Sequence, residues 1–142
     1  LSVQHTLGYM KPRISKKVEL NLFGVEEDQE MIIALFNPAL FSWVLENLIR
    51  NAVDAMEGVG VINVVVSQSG DDVVIDIEDS GKGISRSDMR DVFSPGFTTK
   101  NRGWGLGLSL VKRIVEDYHG GRITLLKSEV GVGTTFRIKL SA

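Results

Sequence analysis

The sequence lacks several features that would point to particular classes of protein. It contains no cysteine, which excludes disulfide frameworks, thiol nucleophiles and cysteine-rich zinc modules. Its two histidines, His5 and His119, lie too far apart in the chain to form a local metal-binding motif. The longest apolar run, residues 31–36, is far below the ~20 residues of a membrane-spanning helix. The net charge of −2 argues against general binding to nucleic acid. We therefore expect neither nucleic-acid nor membrane contact from this segment.

The composition is that of one ordered domain. The chain has 142 residues, 43% hydrophobic and 24% charged, which is enough to bury a core without disulfides or structural metals. Glycine is unevenly placed, since ten of the 15 glycines follow residue 80, nearly all of them in clusters. Glycine serves unusual backbone angles or the close approach of another group. Gly120 and Gly121 follow an amphipathic segment and are predicted to end a helix, whereas the other clusters are candidates either for turns and caps or for close approach of another group.

Hydrophobic periodicity predicts strands and helices in alternation. The pattern is typical of a mixed, mainly antiparallel sheet with helices on one face. In chain order we predict a weak helix at 2–16, strands at 18–23 and 31–36, a helix from Pro38 to about Met56, a hairpin of strands 61–68 and 73–79, a short helix capped by Ser85, a loop at 93–103, a helix at 106–118 marked by residues four apart from Leu106 to Tyr118, and strands at 122–127 and 134–140.

The first long helix carries two asparagines in register. Asn47 and Asn51 are four residues apart and share a face, with Asp54 next to that stripe. Asparagine is a poor helix former, but its amide oxygen can complete the shell of Mg²⁺ beside phosphate oxygens and water. We therefore favour a ligand role for Asn51 over a plain surface amide. Glu46 and Arg50 lie on an adjoining face, where a solvated ion pair is the simplest alternative to a functional role. The opposite side of the helix is predicted to face the core, with apolar residues at core spacing: Phe41, Leu45, Leu48, Ala52 and Met56.

An acid ends the apolar row of the second hairpin strand. Asp79 follows Ile75 and Ile77 in the period-two pattern, and two glycines lie directly behind it at Gly81 and Gly83. A buried carboxylate needs hydrogen-bond donors to offset its lost hydration. Either the exocyclic amino group of a flat ligand supplies them, or the acid caps a turn through the amides of the two glycines.

A second glycine cluster, residues 103–108, opens the third predicted helix. Successive main-chain amides at a helix start form an anion site, and Lys100 and Arg102 lie just upstream. The alternative is an exposed basic loop. Leu108 stands where a dinucleotide fingerprint has its third glycine, and the P-loop and the catalytic loop of protein kinases are absent from the sequence. A further glycine turn at 131–134 is either an ordinary hairpin turn or a wall against a base, with Thr134 offering a hydroxyl.

Five segments resemble the conserved boxes of one family and occur in that family's order. They are the N box at 47–55, the G1 box at 79–83, the F box at 93–97, the G2 box at 103–107 and the last glycine box at 131–134. Together they cover nearly the whole chain and resemble the catalytic, ATP-binding domain of sensor histidine kinases, within the fold shared with gyrase and mismatch-repair ATPases. The short run 97–100 before the G2 box is similar to the short-lid subgroup of nitrogen-regulation sensor kinases.

The resemblance implies an α/β two-layer sandwich that binds ATP and Mg²⁺, with three main helices on one face of a mixed sheet. It implies that Asn51 holds Mg²⁺ on the phosphates and that Asp79 bonds the adenine amino group. Lys100 would neutralise phosphate charge, and Arg50 would reach the γ end. The residues expected around the nucleotide are Asn47, Asn51, Asp54, Asp79, Gly81, Gly83, Phe97, Thr99, Lys100, Gly103, Gly105, Leu106, Gly107, Leu108 and Thr134.

Two departures from the family refine the expected function. The family's ATPases have a glutamate four residues before the metal-binding asparagine, whereas this chain has Asn47, which cannot take a proton. Hydrolysis is thus disfavoured and phosphotransfer favoured, with the adjacent Glu46 as a weaker candidate base. The second departure is that a histidine followed by an acid is missing, since Thr6 follows His5. We expect residues 1–142 to be one catalytic domain, with 1–16 as the helix that follows a phosphoacceptor hairpin.

The expected activity is that of an ATP-dependent protein-histidine kinase. The expected partners are the dimerisation and phosphoacceptor helical domain of the same parent protein and, downstream, a response-regulator receiver domain. The expected location is cytoplasmic, as in the cytoplasmic part of a membrane-bound sensor, with the loop 93–102 folding over the phosphates when ATP binds. The alternatives are a stand-alone ATPase of the same fold, a non-catalytic nucleotide-binding regulatory module and a serine kinase of a regulator protein.

Overall fold

The computed structural model describes residues 3–24, 38–94, 107–118 and 120–141. The helices in these ranges are α1 (Val3–Met10), α2 (Pro38–Ala55), α3 (Arg86–Met89) and α4 (Gly107–Arg113); a 3₁₀ turn (Lys11–Arg13) follows α1 and a π-helical turn (Ile114–Tyr118) follows α4. The strands are β1 (Val18–Phe23), β2 (Gly60–Ser69), β3 (Asp72–Asp79), β4 (Arg122–Glu129) and β5 (Gly133–Ser141). The strand predicted at 31–36 and most of the loop predicted at 93–103 lie outside the described residues.

The described strands form one mixed sheet in the order β1-β2-β3-β5-β4. The pair β1–β2 is parallel and the other three pairs are antiparallel, which confirms the mixed, mainly antiparallel sheet. The β2–β3 register sets Ile62 opposite Asp79, and the β3–β5 register sets Asp79 opposite Thr134. The acid predicted at the end of the apolar row therefore lies in a central strand, beside the last glycine turn.

Helix α2 packs its apolar face on the sheet. All five residues predicted for its core face are buried, with exposed fractions of 7% or less: Phe41, Leu45, Leu48, Ala52 and Met56. The apolar row of β3 is buried in the same way, from Val73 to Ile77. The opposite face of the sheet is mainly polar, and Arg137 makes a bidentate ion pair there with its cross-strand neighbour Asp76, at 2.8 and 2.9 Å. The α/β two-layer sandwich is thus confirmed.

Helix α1 belongs to the core of the domain. Val3, Leu7 and Met10 are at most 2% exposed, and the hydroxyl of Thr6 lies 3.0 Å from that of Ser42 on α2. The weak helix predicted at 2–16 is shorter in the structure, because a 3₁₀ turn containing Pro12 follows it. The first helix therefore packs on the same helix that carries the two asparagines.

The last helix differs in detail from its prediction. Its buried face is formed by Val111, Ile114 and Val115, whereas Leu110 is 41% exposed. Of the four residues spaced by four from Leu106 to Tyr118, Ile114 is buried as expected and Leu110 is not, while the side chains of the other two lie outside the described residues. The buried residues follow the i, i+3, i+4 spacing of one helix face, whereas a row spaced strictly by four drifts by about 40° per step. The helix end is as predicted, with the amide of Gly121 donating to the carbonyl of Val115 at 2.9 Å.

Candidate functional site

Asp79 is a buried acid held by main-chain amides. Its side chain is 8% exposed, and its Oδ1 accepts a hydrogen bond from the Gly81 amide at 2.8 Å. The Thr134 amide is a second donor to the carboxylate. The turn-capping alternative is therefore realised through Gly81. A carboxylate accepts about four hydrogen bonds, so two amides leave acceptor capacity for a ligand.

Burial raises the pKa of Asp79 above its ordinary value. Loss of hydration is the largest cause, and the negative charge of Glu78 adds to it. The amides of Gly81 and Thr134 act in the opposite direction, because they stabilise the ionised form. Within the described residues the two amides do not fully offset the lost hydration, and an amino group from a ligand would supply a further donor.

The loop after Asp79 packs tightly against the turn between β4 and β5. Gly83 has φ +76°, and a side chain there would collide with the backbone carbonyl of Glu129. The Gly131 amide donates to the Lys82 carbonyl at 2.9 Å, which ties the two segments together. The first and last glycine boxes of the sequence are thus adjacent, and Thr134 is buried between them and β3.

One face of α2 runs from the Asp79 loop to the start of α4. Asn47, Asn51 and Ala55 are spaced by four residues and share this face. At one end, the Ala55 carbonyl accepts the Lys82 amide at 3.0 Å. At the other end, a Cβ built on Gly107 would lie 3.8 Å from Oδ1 of Asn47. The half-buried Asn51 lies between the two contacts.

These contacts give the site a length and a direction. Eight residues of helix separate Asn47 from Ala55, which corresponds to about 12 Å at 1.5 Å per residue. A buried acid lies beyond one end of this face, and the first residue of α4 lies beside the other. The structure therefore brings together four predicted regions in a single row: the last glycine turn, the Asp79 loop, the asparagine face and Gly107.

The asparagine side chains differ in their contacts. Nδ2 of Asn47 donates to the carbonyl of Trp43, one turn earlier, at 2.9 Å. This bond uses one of the two N–H donors of the Asn47 carboxamide, and Oδ1 is the atom nearest Gly107. Residue 47 therefore presents a neutral acceptor at this position, which cannot take a proton from water.

The remaining predicted residues are placed in part. Arg50 and Asp54 are exposed on α2, whereas Glu46 and Leu108 are half-buried. Among the ion pairs of the described residues none joins Glu46 to Arg50, so the solvated ion pair considered for these two residues is not formed. Six predicted residues lie outside the described ranges: Phe97, Thr99, Lys100, Gly103, Gly105 and Leu106.

Phe93 marks where the predicted lid begins. Its ring packs edge-on against Phe136, with the centroids 5.9 Å apart, and Nζ of Lys112 lies 5.4 Å from its centroid. Phe136 follows Thr134 on the same face of β5, since strand side chains alternate. The segment that leads into the F box is therefore anchored beside the buried threonine.

A cavity of about 670 Å³ opens at the same end of the sheet. Many of its lining side chains, such as Asn63, Glu78 and Lys127, alternate away from the helices. It therefore opens mainly on the sheet face opposite α2. Asp79, Ser128 and Thr134 also line this cavity, whereas Asn47 and Asn51 do not.

The donor set suits a metal held mainly by a ligand. Among the described residues no group of three or more histidine, cysteine, aspartate or glutamate side chains could hold a metal ion. Mg²⁺ is commonly bound through one or two protein oxygens together with substrate phosphates and water. A single amide oxygen from Asn51 fits that mode, whereas a cage made only of protein ligands does not.

Residues 37–142 match the family model of the histidine kinase-, DNA gyrase B- and HSP90-like ATPases, and the chain belongs to this family. It is 46% identical over 104 residues to the sensor histidine kinase ZraS of Escherichia coli K12, covering 73% of this chain and 22% of that protein. It is 38% identical over 116 residues to the nitrogen regulation protein NtrY of Azorhizobium caulinodans, covering 77% and 15%. The chain thus spans less than a quarter of these curated relatives.

The fold also matches solved histidine kinase domains. The nucleotide-free catalytic domain of histidine kinase ThkA has a TM-score of 0.81 at 28% identity, covering 97% of this chain and 88% of that one. A structure of ThkA in complex with the response regulator protein TrrA matches with a TM-score of 0.74 at 26% identity, covering 98% and 39%. The resemblance drawn from the five boxes is therefore confirmed: this is a catalytic domain of the histidine kinase type.

The sequence analysis did not identify Ser128 as a residue of the site. It is half-buried on β4, and its hydroxyl lies 2.7 Å from that of Thr134. A lone serine three residues before a glycine turn carries no periodic or motif signal on its own. The cross-strand register that sets it opposite Thr134 would have been needed to find it.

Proposed function

We propose that this domain binds Mg-ATP and presents the γ-phosphate to a histidine on a separate helical domain of its parent protein. The observation that supports it most is the row from Thr134 and Asp79 along the asparagine face of α2 to Gly107. A buried acceptor for an amino group lies at one end, and the metal-compatible amide lies further along. This arrangement suits an elongated ligand with a base at one end and phosphates at the other.

At the base end, Asp79 would accept a hydrogen bond from the adenine amino group, with Gly81, Gly83 and Thr134 beside the ring. Burial makes such a bond effective, because few water molecules compete for the carboxylate. The loop is fixed in place by the Gly81 amide and by the Lys82–Gly131 link. The base would thus meet a preformed acceptor.

At the phosphate end, Asn51 would hold Mg²⁺ on the phosphates, with Asn47 nearby. Bound Mg²⁺ would offset phosphate charge and orient the γ-phosphate. Lys100 would neutralise further charge, and Arg50 would reach the γ end from the exposed side of α2. Gly103, Gly105 and Gly107 would border the phosphates, with Phe97, Thr99 and Leu106 in the lid.

The chemistry asked of the domain is alignment and charge neutralisation, which dominate phosphoryl transfer. A neutral imidazole is nucleophilic as it stands, so the protein needs no strong base. Asn47 cannot activate water, which protects bound ATP from hydrolysis until the histidine arrives. Glu46 is the weaker candidate for a base, since one helix step turns it about 100° from Asn47.

The test is transfer of labelled phosphate from γ-labelled ATP to a sensor-kinase helical hairpin that carries a histidine followed by an acid. We expect label on the hairpin that is stable in alkali and lost in acid, as for phosphohistidine. A hairpin with that histidine changed to glutamine is the control and should remain unlabelled. Label on the hairpin or on a receiver domain that survives both acid and hydroxylamine would instead support a serine kinase, since hydroxylamine cleaves an aspartyl phosphate.

The asparagine at position 47 also decides between a kinase and a stand-alone ATPase. We expect phosphate release from Mg-ATP by the isolated domain to be slow. Rapid release would overturn the proposed transfer role in favour of hydrolysis. Tight Mg-ATP binding with neither release nor transfer would support a non-catalytic regulatory module.

The proposed partners are the dimerisation and phosphoacceptor domain of the same parent and a response-regulator receiver domain. The complex of ThkA with TrrA supports the second of these, since that relative meets a response regulator. None of the helices in the described ranges is long and apolar enough to cross a membrane. We place the domain in the cytoplasm, where ATP and receiver domains are available.

A further inference from the structure

We infer that Ser128 is a positioning residue for base recognition, acting through Asp79 and Thr134. The inference rests on the proposed adenine contact at Asp79 and goes beyond it. It is carried by the hydrogen bonds of one half-buried hydroxyl, which connects the two segments that hold the acid.

The Ser128 hydroxyl makes three contacts. Its Oγ accepts the Ile84 amide at 2.7 Å, lies 2.7 Å from Oγ1 of Thr134 and donates to the Gly133 carbonyl at 3.3 Å. The two shortest contacts, to Ile84 and to Thr134, reach different segments: the loop after Asp79 and the start of β5. One side chain on β4 therefore fixes the distance between them.

The same two segments supply the donors to Asp79. The Gly81 amide belongs to the loop that Ser128 holds through Ile84, and the Thr134 amide belongs to the strand start that Ser128 holds directly. A shift of either segment would move a donor away from the buried carboxylate. Ser128 thus acts on Asp79 without touching it.

The hydroxyl also sets the direction of the Thr134 hydrogen. A serine hydroxyl has one hydrogen and two acceptor lone pairs, and the Ile84 amide uses one lone pair. When the Ser128 hydrogen points at the Gly133 carbonyl, Thr134 donates to Ser128, and its own Oγ1 lone pairs remain for a ligand. When the Ser128 hydrogen points at Thr134, the Thr134 hydrogen is released toward the base. The orientation of the Ser128 hydroxyl therefore determines whether the Thr134 hydroxyl offers a hydrogen or a lone pair to the adenine ring.

The experiment compares ATP with inosine triphosphate, which has a carbonyl oxygen in place of the adenine amino group. For Ser128→Ala we expect ATP affinity to fall roughly five- to tenfold, since one connected hydrogen bond is lost. Affinity for inosine triphosphate should change little, so the selectivity for ATP falls by about the same factor. Ser128→Thr keeps the hydroxyl and should restore most of the selectivity.

Controls separate positioning from general damage. Ser67→Ala removes an exposed serine near the far end of β2 and should leave both affinities unchanged. A merely structural role for Ser128 would lower both affinities together or lower the melting temperature without changing selectivity, and either result would overturn the inference. Undiminished selectivity in a folded Ser128→Ala would also overturn it. If the wild-type domain does not distinguish the two nucleotides, the proposed adenine contact itself is wrong.

Discussion

Asp79 combines a buried position with an ionisable group, so binding and stability make opposite demands on it. Asp79→Asn removes the charge whose hydration is lost on folding, while Oδ1 can still accept the Gly81 amide. We expect a melting temperature equal to or above that of the wild type. ATP affinity should fall roughly tenfold to a hundredfold, because hydrogen bonds to charged groups contribute about 1.5–3 kcal/mol.

The measurements are thermal melts and ATP titrations, with Glu78→Gln as the matched control. Glu78 is the neighbouring acid in β3, but it is exposed and points to the other face of the sheet. Its loss should leave ATP affinity unchanged. An Asp79→Asn domain that binds ATP like the wild type would remove Asp79 from the site.

The raised pKa of Asp79 predicts a pH dependence of base recognition. The adenine amino group donates to the ionised carboxylate, so ATP prefers that form, which is populated as pH rises through the raised pKa. The ratio of affinities for ATP and inosine triphosphate should therefore increase with pH and then level off. Using the ratio cancels the titration of the phosphates, which both nucleotides share.

The raised pKa of Asp79 also determines in which direction the stability of the fold changes with pH. Because the folded pKa lies above the unfolded value of about 3.9, the folded state binds the proton more tightly. The contribution of Asp79 to stability is then greatest below the unfolded pKa and is lost as pH rises to the folded pKa. Asp79→Asn should abolish both trends, and a pH-independent ratio in the wild type would contradict the coupling.

At the level of elements, the glycine turns differ in what they require. Gly83 has a positive φ of 76° and backbone atoms where a side chain would lie, whereas Gly70, at φ +62°, has nothing within 4 Å. We expect Gly70→Ala to cost about 1 kcal/mol, the strain of the backbone angle alone. Gly83→Ala should cost clearly more, at least about 2 kcal/mol, because Glu129 must also move. Chemical denaturation of both variants measures the difference, and equal costs would show that the turn has room to relax.

Helix α1 offers a second matched pair, since the adjacent residues Leu7 and Gly8 point about 100° apart, one into the core and one to solvent. Leu7 is 2% exposed, and its truncation in Leu7→Ala should cost about 2–4 kcal/mol of stability. Gly8 is exposed on the same helix with open space around it. Gly8→Ala should stabilise the domain by roughly 0.5–1 kcal/mol, since alanine is the better helix former. Unfolding free energies of both variants test whether α1 belongs to the cooperative core, and a neutral Leu7→Ala would show that it does not.

The sequence predicted best where one face of an element is buried. The period-two row ending at Asp79 and the core face of α2 follow from burial on one side, and both are found as predicted. The prediction failed for Leu110, because a row of residues spaced strictly by four drifts by about 40° per step around an α-helix and leaves its buried face. Ser85 begins the short helix as predicted, but its hydroxyl lies against that of Ser87 and does not cap the helix.

The site was predictable in its parts but not in its connections. The boxes identified Asp79 and Thr134 separately, whereas the amide that joins them depends on the register of β3 against β5. Ser128 depends on a second register, that of β4 against β5. Registers between strands far apart in the chain arise from packing of the whole sheet, and a pattern read along one strand does not contain them.

The whole domain shares one core, and this predicts how it responds to ligand. Buried residues of α1, α2, α4 and all five described strands form a single hydrophobic cluster. We therefore expect one cooperative thermal transition. Mg-ATP at about 100 times its Kd should stabilise the folded state by about 2.7 kcal/mol. For a domain of this size, that energy corresponds to a rise in melting temperature of about 5–10 °C.

The dependence of this rise in melting temperature on Mg²⁺ tests the asparagine face of α2. ATP with the metal chelated should give a smaller rise than Mg-ATP, because the amide of Asn51 then has no ion to bind. In Asn51→Ala the two rises should become nearly equal, while the exposed Gln68→Ala keeps the wild-type difference. Calorimetric melts in the presence of each ligand make the comparison. A full metal-dependent shift in Asn51→Ala would assign Mg²⁺ to other residues, and two separate transitions would show that the described elements do not unfold as one unit.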